Sequence, residues 1–562
     1  MATIRRECPL ISSANTATAP TRSLLWLPVL TIAATAVAVE VPSFFKGVLS
    51  GHDLEFHLYS WLEVLGQWKQ GICYPRWASL SHWAYGEPRF IFYPPASWSL
   101  GTALSVLLPW PIVPAVYIWI ALTATGISMF MLVRPWLSRW DAIFVASLYA
   151  ANPYHLVIVY WRSAFAELLA SSLLPLLLLL VLRSSEGEGR RVIVPLGIVL
   201  AAAWLINAPA AVMIHYSLAL MVIVVASIRK SPRVILTAAA AVALGASLAA
   251  FYLFPAVYEQ KWVNISEAIS PGSRPQDNFL FARTTDRDHD AFNHLVSWIA
   301  LAEIVVTLLA AWASRRWRRV QLEAWNVTLA WAGAVSVLMV PATALLWNIL
   351  PKLRFMQFPW RWMLCLGVPF SLFLALAARR WAMRFAVYIA MLLVIAFGWR
   401  YIQPPWWDTA ADLREMQDNM QSGQGYEGTD EYTPVGADAS AVDKDARRVT
   451  VDGTVHAAIQ VLQWRAESKL FTAQMSAPAK LALRLFNYPA WQVQVNGHMV
   501  KTGVREASGQ MLVPVGAGLN RVEIKFIRTW DRMVGAWISL LSVPLALVWV
   551  LLEKKRLHTN SA

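Results

Sequence analysis

The sequence predicts a polytopic α-helical membrane protein of about twelve spans, with a small extracytoplasmic β-sandwich before the last span. Three observations predict it. Of 562 residues, 57% are hydrophobic and only 15% are charged, against about 25% charged in a soluble globular chain. Apolar runs long enough to cross a bilayer recur along most of the chain. One stretch near the C-terminus, 400–530, breaks that pattern and turns to strand-like alternation.

The apolar runs lie near 23–42, 112–133, 141–160, 166–183, 192–210, 211–228, 233–256, 294–313, 325–347, 362–378, 383–399 and 531–552. A further run at 94–110 is short and opens with Pro94-Pro95. The first run follows Arg5, Arg6 and Arg22 and contains Ala36-Val37-Ala38, a possible cleavage site. We read it as an uncleaved first span. Basic clusters fall between spans, at Arg190-Arg191, Arg229 to Arg233, Arg315 to Arg319, Arg379 to Arg384 and Lys554 to Arg556. Under the positive-inside rule these loops and both termini are cytoplasmic. The net charge of +14 is therefore explained without nucleic acid, because no basic stripe is continuous.

Orientation leaves a parity constraint. An even number of crossings must lie between residues 94 and 160, where three candidate runs occur. The run at 94–110 is the one expected not to cross. The resulting organisation is a cytoplasmic tail at 1–22, a transmembrane module at 23–399 and a polar connector at 400–445. A β-sandwich at 446–528, a final helix at 531–552 and a cytoplasmic tail at 553–562 follow. Outside loops are expected at 43–93 and 259–293, with a short outside turn at 348–361. In the β-region, Trp491-Gln492-Val493-Gln494-Val495 alternates and runs into Asn496-Gly497, a strong hairpin signal. The three cysteines suggest neither a disulfide nor a metal site.

Ionisable residues near the outer surface are the candidates for chemistry. Gly51-His52-Asp53-Leu54-Glu55-Phe56-His57 follows the first span by about ten residues. On a helix Asp53 and His57 share a face, and a carboxylate there suits a general base or a cation ligand. An interfacial amphipathic helix with solvated charges is the plainer alternative, and spacing alone favours it. Arg162 and Glu167 flank the start of a span, where ionisable groups are functional candidates by default. Five residues apart on one helix they share no face, so a direct pair is not implied. Arg162 suits an anionic phosphate, or else snorkels to headgroups. His155 follows Asn152-Pro153-Tyr154 and reads most simply as a packed histidine. Glu259 ends a span on the outside, where it either lines a cavity or faces water. The turn from Lys352 to Arg361, with Gln357 and Trp360, carries positive charge on the outer side. That charge calls for an anion, either a ligand phosphate or lipid headgroups. There is no Walker loop, dinucleotide fingerprint, His-Glu-x-x-His or nucleophile elbow. ATP-driven pumping is therefore disfavoured.

In order along the chain, Gly51-His52-Asp53, Phe56-His57-Leu58-Tyr59, Phe92-Tyr93-Pro94-Pro95 and Tyr160-Trp161-Arg162 with Glu167 form a pattern. Phe251 to Ala256, Gln357-Phe358-Pro359-Trp360-Arg361, Glu431-Tyr432-Thr433-Pro434 and Tyr488-Pro489-Ala490-Trp491 complete it. The chain resembles the bacterial membrane proteins called 6-pyruvoyl-tetrahydropterin synthase-related, close to the YfhO-type proteins. Both are similar to the C-type glycosyltransferase (GT-C) superfamily. The resemblance implies a GT-C-like module in the bacterial inner membrane, taking a sugar from a polyprenyl-phosphate donor at the outer face. The acceptor is a glycan, a lipid or a protein. It puts the catalytic carboxylate at Asp53, with Glu55 in reserve, and the donor phosphate on Arg162 and Arg361. His57, His155, Glu167, Glu259, Gln357 and Trp360 become candidate cavity residues. The acids here are separated by Leu54, where several superfamily members carry two adjacent acids, so a Mg or Mn requirement stays open. No pterin chemistry is implied, since the chain lacks that enzyme's histidine cluster. A lipid or glycan transporter, and a non-catalytic scaffold with a partner-binding β-domain, are the alternatives.

Overall fold

The computed structural model describes residues 26–185, 189–401 and 407–561. The tail at 1–22 lies outside these residues, as do 402–406 of the connector and Ala562. Ten described helices are long and apolar enough to cross a membrane. Two bent pairs raise the number to as many as twelve. Each of the twelve apolar runs coincides with one of these helices or pairs. The short run at 94–110 holds only a 13-residue helix, Pro95–Leu107, about 20 Å long at 1.5 Å per residue, too short for the hydrocarbon core.

Two runs that read as continuous are broken. Arg233–Leu248 and Ala250–Trp262 meet at 77°, and Leu322–Leu338 and Pro341–Ile349 meet at 90°. The second break falls at Val340-Pro341, where Pro has no N–H to continue the helix ladder. The helix after the β-region, Trp530–Ser561, runs through the stretch expected to be a tail at 553–562.

Three spans form the centre of the bundle. Arg139–Arg162 is 94% buried, Pro359–Ala377 89% and Phe165–Arg183 83%, whereas Trp381–Arg400 is 11% and Trp530–Arg556 22%. A charged residue on a central helix must therefore find a partner inside the protein, because neither water nor headgroups reach it.

The region 449–526 contains nine antiparallel strands: β1 Val449–Asp452, β2 Ala457–Trp464, β3 Ser468–Met475, β4 Ala479–Phe486, β5 Trp491–Val495, β6 His498–Met499, β7 Gly503–Val504, β8 Gln510–Val515 and β9 Gly518–Phe526. They form two sheets, ordered β1-β4-β8-β7 and β2-β3-β9-β5-β6. Alternate residues of both sheets share one core, including Phe471, Leu481, Leu483, Val493, Val513, Val522 and Ile524. The β5–β6 hairpin turns at Asn496 and Gly497 with φ of 51° and 82°, the left-handed pair that a two-residue turn requires.

This sandwich is not separate from the membrane module. Trp77 and Tyr85 of the first loop, and Val263 after a span, are buried in its core. The Phe486 N–H donates to the Tyr85 carbonyl at 3.0 Å. A two-residue ribbon, Val48–Leu49 with Trp407–Asp408, ties the end of the first span to the connector. The first loop, the connector and the sandwich thus gather at one end of the bundle. The basic clusters lie at the other end, where Arg229 pairs with Glu323 and Arg384 with Asp141.

Candidate active site

The site begins at a break between two central helices. The helix from Arg139 ends in a π-turn over Ile158–Arg162, and Ser163 adopts φ 51°. The next helix, Phe165–Ala170, carries Glu167 in its first turn, where a carboxylate also favours the helix dipole. The spacing alone implied no direct pair between Arg162 and Glu167, and the break makes one. They do not share one helix; they face each other across a turn. Arg162 Nη1 lies 2.6 Å from Glu167 Oε2, and both residues are about 1% exposed.

A second cation reaches the same carboxylate. Arg361, at the start of the third central helix, places Nε 3.3 Å from Glu167 Oε2. Its Nη1 donates to the Met356 carbonyl at 2.8 Å and to Gln357 Oε1 at 3.3 Å. Gln357, with φ 65°, turns the chain and donates to the Ala268 carbonyl at 2.6 Å. Tyr154 donates to Glu167 Oε1 at 2.6 Å and accepts from Arg162 at 3.2 Å. The Arg162 guanidinium lies 5.1 Å from the Trp360 ring centre and 5.8 Å from Phe358. Part of the positive charge in the basic turn therefore meets an anion supplied by the protein itself. Lys352 and Arg354 of the same turn stay exposed.

Asp53 stands at the accessible edge of this network. It occupies the N-cap position of the helix Leu54–Lys69, yet its side chain caps no backbone N–H. It points at Arg162 instead, with Oδ2 3.5 Å from Nη2, and its side chain is 39% exposed. Backbone contacts fix that position. Asp53 N–H donates to the Arg162 carbonyl at 2.8 Å. Ser163 Oγ accepts from Gly51 N–H at 3.0 Å and donates to the Leu49 carbonyl at 2.7 Å. A Cβ on Gly51 would lie 2.6 Å from Arg162 C and Ser163 N, so glycine is required for this approach.

The remaining candidates divide. His57 is buried one turn from Asp53 and stacks on Phe165 at 5.2 Å. Burial, with Arg162 and Arg89 nearby, lowers its pKa to about 4. It is therefore a neutral packing residue at physiological pH. His155 is buried beneath the network, its Nδ1 3.3 Å from the Ala150 carbonyl and its Nε2 without a partner. Glu55 is exposed and does not join the site. Glu259 does not join it either. It pairs with Arg532 of the last helix at 2.7 Å and accepts from Tyr488 of the sandwich at 2.6 Å.

Among the described residues, no group of three or more His, Cys, Asp and Glu side chains is placed to hold a metal. Asp53 faces a guanidinium and Glu55 is exposed without joining it, so this donor set does not suit a Mg or Mn ion.

The sequence reading missed Tyr154 as the residue joining Glu167 to Arg162. It also missed a second buried network in the first loop. Arg89 lies 2.5 Å from Glu87 Oε1, and Glu87 Oε2 lies 2.8 Å from His82 and accepts from Thr429 N–H at 2.9 Å. Burial pushes the Glu87 carboxyl upward, but Arg89 and the other donors outweigh it and hold it at about 2. An arginine directly before Phe90-Ile91-Phe92 was the available signal, since a cation in an apolar run needs a buried partner.

The model of one protein family, the 6-pyruvoyl-tetrahydropterin synthase related domain, described as a membrane protein, matches residues 90–403. The chain belongs to that family. The matched residues include Tyr154, Arg162, Glu167, Gln357, Trp360 and Arg361, and begin after Asp53. No curated protein matches the chain. Family membership and the apolar helices make it a multi-pass membrane protein in contact with lipid.

Proposed function

We propose that this member of the 6-pyruvoyl-tetrahydropterin synthase-related family is an integral membrane glycosyltransferase of GT-C type. It transfers a sugar from a polyprenyl-phosphate donor to a glycan, lipid or protein acceptor at the outer face of a bacterial inner membrane. Both termini are cytoplasmic in this reading, and the domain boundaries are those read from the sequence. The observation that carries it is the pairing of an accessible Asp53 carboxylate with the buried Arg162–Glu167–Arg361 cluster, on the end of the bundle opposite the basic loops.

The chemistry divides between these residues. Asp53 takes the proton of the acceptor hydroxyl as that oxygen attacks the anomeric carbon. The bond to the phosphate oxygen breaks with inversion, and the lipid phosphate leaves as an anion. Arg162 and Arg361 carry two positive charges against one buried carboxylate, Glu167. Asp53 supplies the fourth charge only through a 3.5 Å contact, at the outer limit of a hydrogen bond. Once Asp53 holds the acceptor's proton, the cluster keeps one net positive charge, which faces the leaving phosphate. Glu167 and Tyr154 hold Arg162 in place, and Gln357 does the same for Arg361.

The test is sugar transfer from a radiolabelled polyprenyl-phosphate sugar in membranes that contain the protein. Asp53→Asn should abolish transfer while the protein stays folded. Transfer at the wild-type rate in that variant would sink the assignment.

One observation favours a second reading, transport. Glu303 lies within the span Arg287–Ala313, and both its carboxylate oxygens are buried without a partner. Buried carboxyls of this kind mark proton and ion pathways. Substrate or proton flux into vesicles, lost in Glu303→Gln with no transfer product formed, would favour transport.

A further inference from the structure

A cleft separate from the Asp53 site opens between the first-loop helix Leu54–Lys69, the connector helix Ala410–Ser422 and the sandwich. Its volume is about 390 Å³, within the range of small-molecule sites, roughly 300–1,000 Å³. The three walls are tied together. Ala466 N–H, in the β2–β3 turn, donates to Gln70 Oε1 at 3.1 Å at the end of the first-loop helix. Arg484 of β4 donates to the carbonyls of Trp83, Ala446, Gln424 and Lys444 at 2.8, 3.2, 3.3 and 2.7 Å.

The charge in this cleft is one-sided. Lys69, Arg448, Arg465, Lys469 and Arg484 line it, and Glu63 is its single lining carboxylate. Glu63 is already answered by four donors, from Gln67, Ser79 (twice) and Leu80 at 2.8–3.1 Å. It faces none of the five cations in an ion pair. Lys469 is only 3% exposed, and its one hydrogen-bond partner is the Ala466 carbonyl at 2.7 Å. Its ammonium otherwise lies over the Trp491 ring, 4.1 Å from the ring centre. Burial lowers its pKa to about 7 although Glu467 and Glu63 act to raise it, so an anion seated in the cavity would favour the charged form. Arg484 likewise meets only neutral carbonyls. Among the described residues, Lys69, Arg448 and Arg465 make no ion pair, and they stand exposed at the rim.

The lining is also short of neutral hydrogen-bond partners. Gln67 Oε1 is buried and unpaired, an acceptor without a donor. Gln67 itself is 1% exposed. Trp464 and the amides of Gln417 and Gln421 also line the cleft. Aromatic surface with amide donors and acceptors suits a polyhydroxylated ring, and the cations add a preference for negative charge.

We propose that this cleft binds an acidic saccharide, a sugar carrying a carboxylate or a phosphate. Its anion sits on Lys469 and the neighbouring arginines, and its hydroxyls meet Gln67 and the amides of Gln417 and Gln421. The proposal does not depend on glycosyl transfer, because binding is measurable without turnover.

The experiment is isothermal titration of the full-length protein in detergent with glucuronate, glucose 1-phosphate, glucose and inorganic phosphate. Saturable binding of glucuronate or glucose 1-phosphate, with glucose failing to bind, is the expected result. Whichever of the two binds identifies the anion as carboxylate or phosphate. Lys469→Met should weaken that binding by about tenfold or more, the loss of one charge-assisted hydrogen bond. Arg448→Ala, at an exposed position that does not endanger folding, should weaken it severalfold. The proposal fails if neither acidic sugar binds, or if both variants bind as the wild type does. It also fails if inorganic phosphate binds as tightly as glucose 1-phosphate, which would reduce the cleft to a plain anion site.

Discussion

Glu167→Gln separates the buried charge cluster from the accessible Asp53. In the native protein one carboxylate, about 1% exposed, faces two guanidinia at 2.6 and 3.3 Å. The amide keeps the shape and one acceptor oxygen but removes the charge. Arg162 and Arg361 then remain as two buried cations whose nearest anion is Asp53, 3.5 Å from Arg162. Removing one partner of a buried pair costs about 3–5 kcal/mol, a factor of roughly 10²–10³ or more in the folding equilibrium. Asp53→Asn is the opposite case. Its side chain is 39% exposed and its contact is long, so a cost below about 1 kcal/mol is expected.

Thermal unfolding in detergent, followed by tryptophan fluorescence, measures both variants against wild type. Glu167→Gln should melt far below wild type and Asp53→Asn close to it. Adding Arg361→Gln to Glu167→Gln should recover part of the loss, because one of the two orphaned cations is gone. Residues in one network typically couple by about 0.5–3 kcal/mol. If Glu167→Gln melts with the wild type, the cluster does not hold the three central helices together. If Asp53→Asn is as destabilising as Glu167→Gln, Asp53 is part of the structural network and not its accessible edge.

Gly51→Ala should destabilise by about 1–3 kcal/mol as an overpacked contact and reduce transfer, since its Cβ would displace the backbone at Arg162 and Ser163; a fully active, stable variant would show that the first loop tolerates the shift. His57 has a folded-state pKa of about 4, below the ordinary 6.5, so the unfolded chain takes up its proton first and stability falls as pH drops from 6.5 toward 4. The loss amounts to about 3 kcal/mol over that window and is absent above it; His57→Phe should flatten this part of a stability–pH curve, and an unchanged curve would refute the assignment. Glu87, held at about 2, adds stability that is present above the ordinary carboxylate range and is lost as pH falls from 4.5 to 2; Glu87→Gln should remove that acid limb. Glu259→Gln should expose Arg532 as an unpaired buried cation and loosen the sandwich from the last helix, at a cost of about 3–5 kcal/mol, visible as faster proteolysis within 449–526.

Much of the fold was legible because the bilayer imposes one simple rule, length and apolarity, and each of the twelve apolar runs obeyed it. The bends at Ala249 and Val340-Pro341 were harder to see, because hydropathy averages over a break. The same averaging hid the pairing at the centre of the site. Arg162 and Glu167, five apart, are neighbours only because Ser163 turns the chain with φ 51°, and a serine in that conformation leaves little trace in composition. Asp53 could be singled out, as an acid close to the end of a span, but its partner lies 109 residues away. Local patterning finds the groups that need partners, and tertiary packing decides which partners they get. The basic turn at Lys352–Arg361 shows the consequence. Its charge called for an anion, and for Arg361 that anion is Glu167, so on the proposed reading a donor phosphate would compete with a carboxylate already in place. A phosphate can win that competition only near Asp53, where the balancing contact is long and open to solvent. On the proposed reading, catalysis therefore sits at the accessible edge of the cluster rather than at its buried centre.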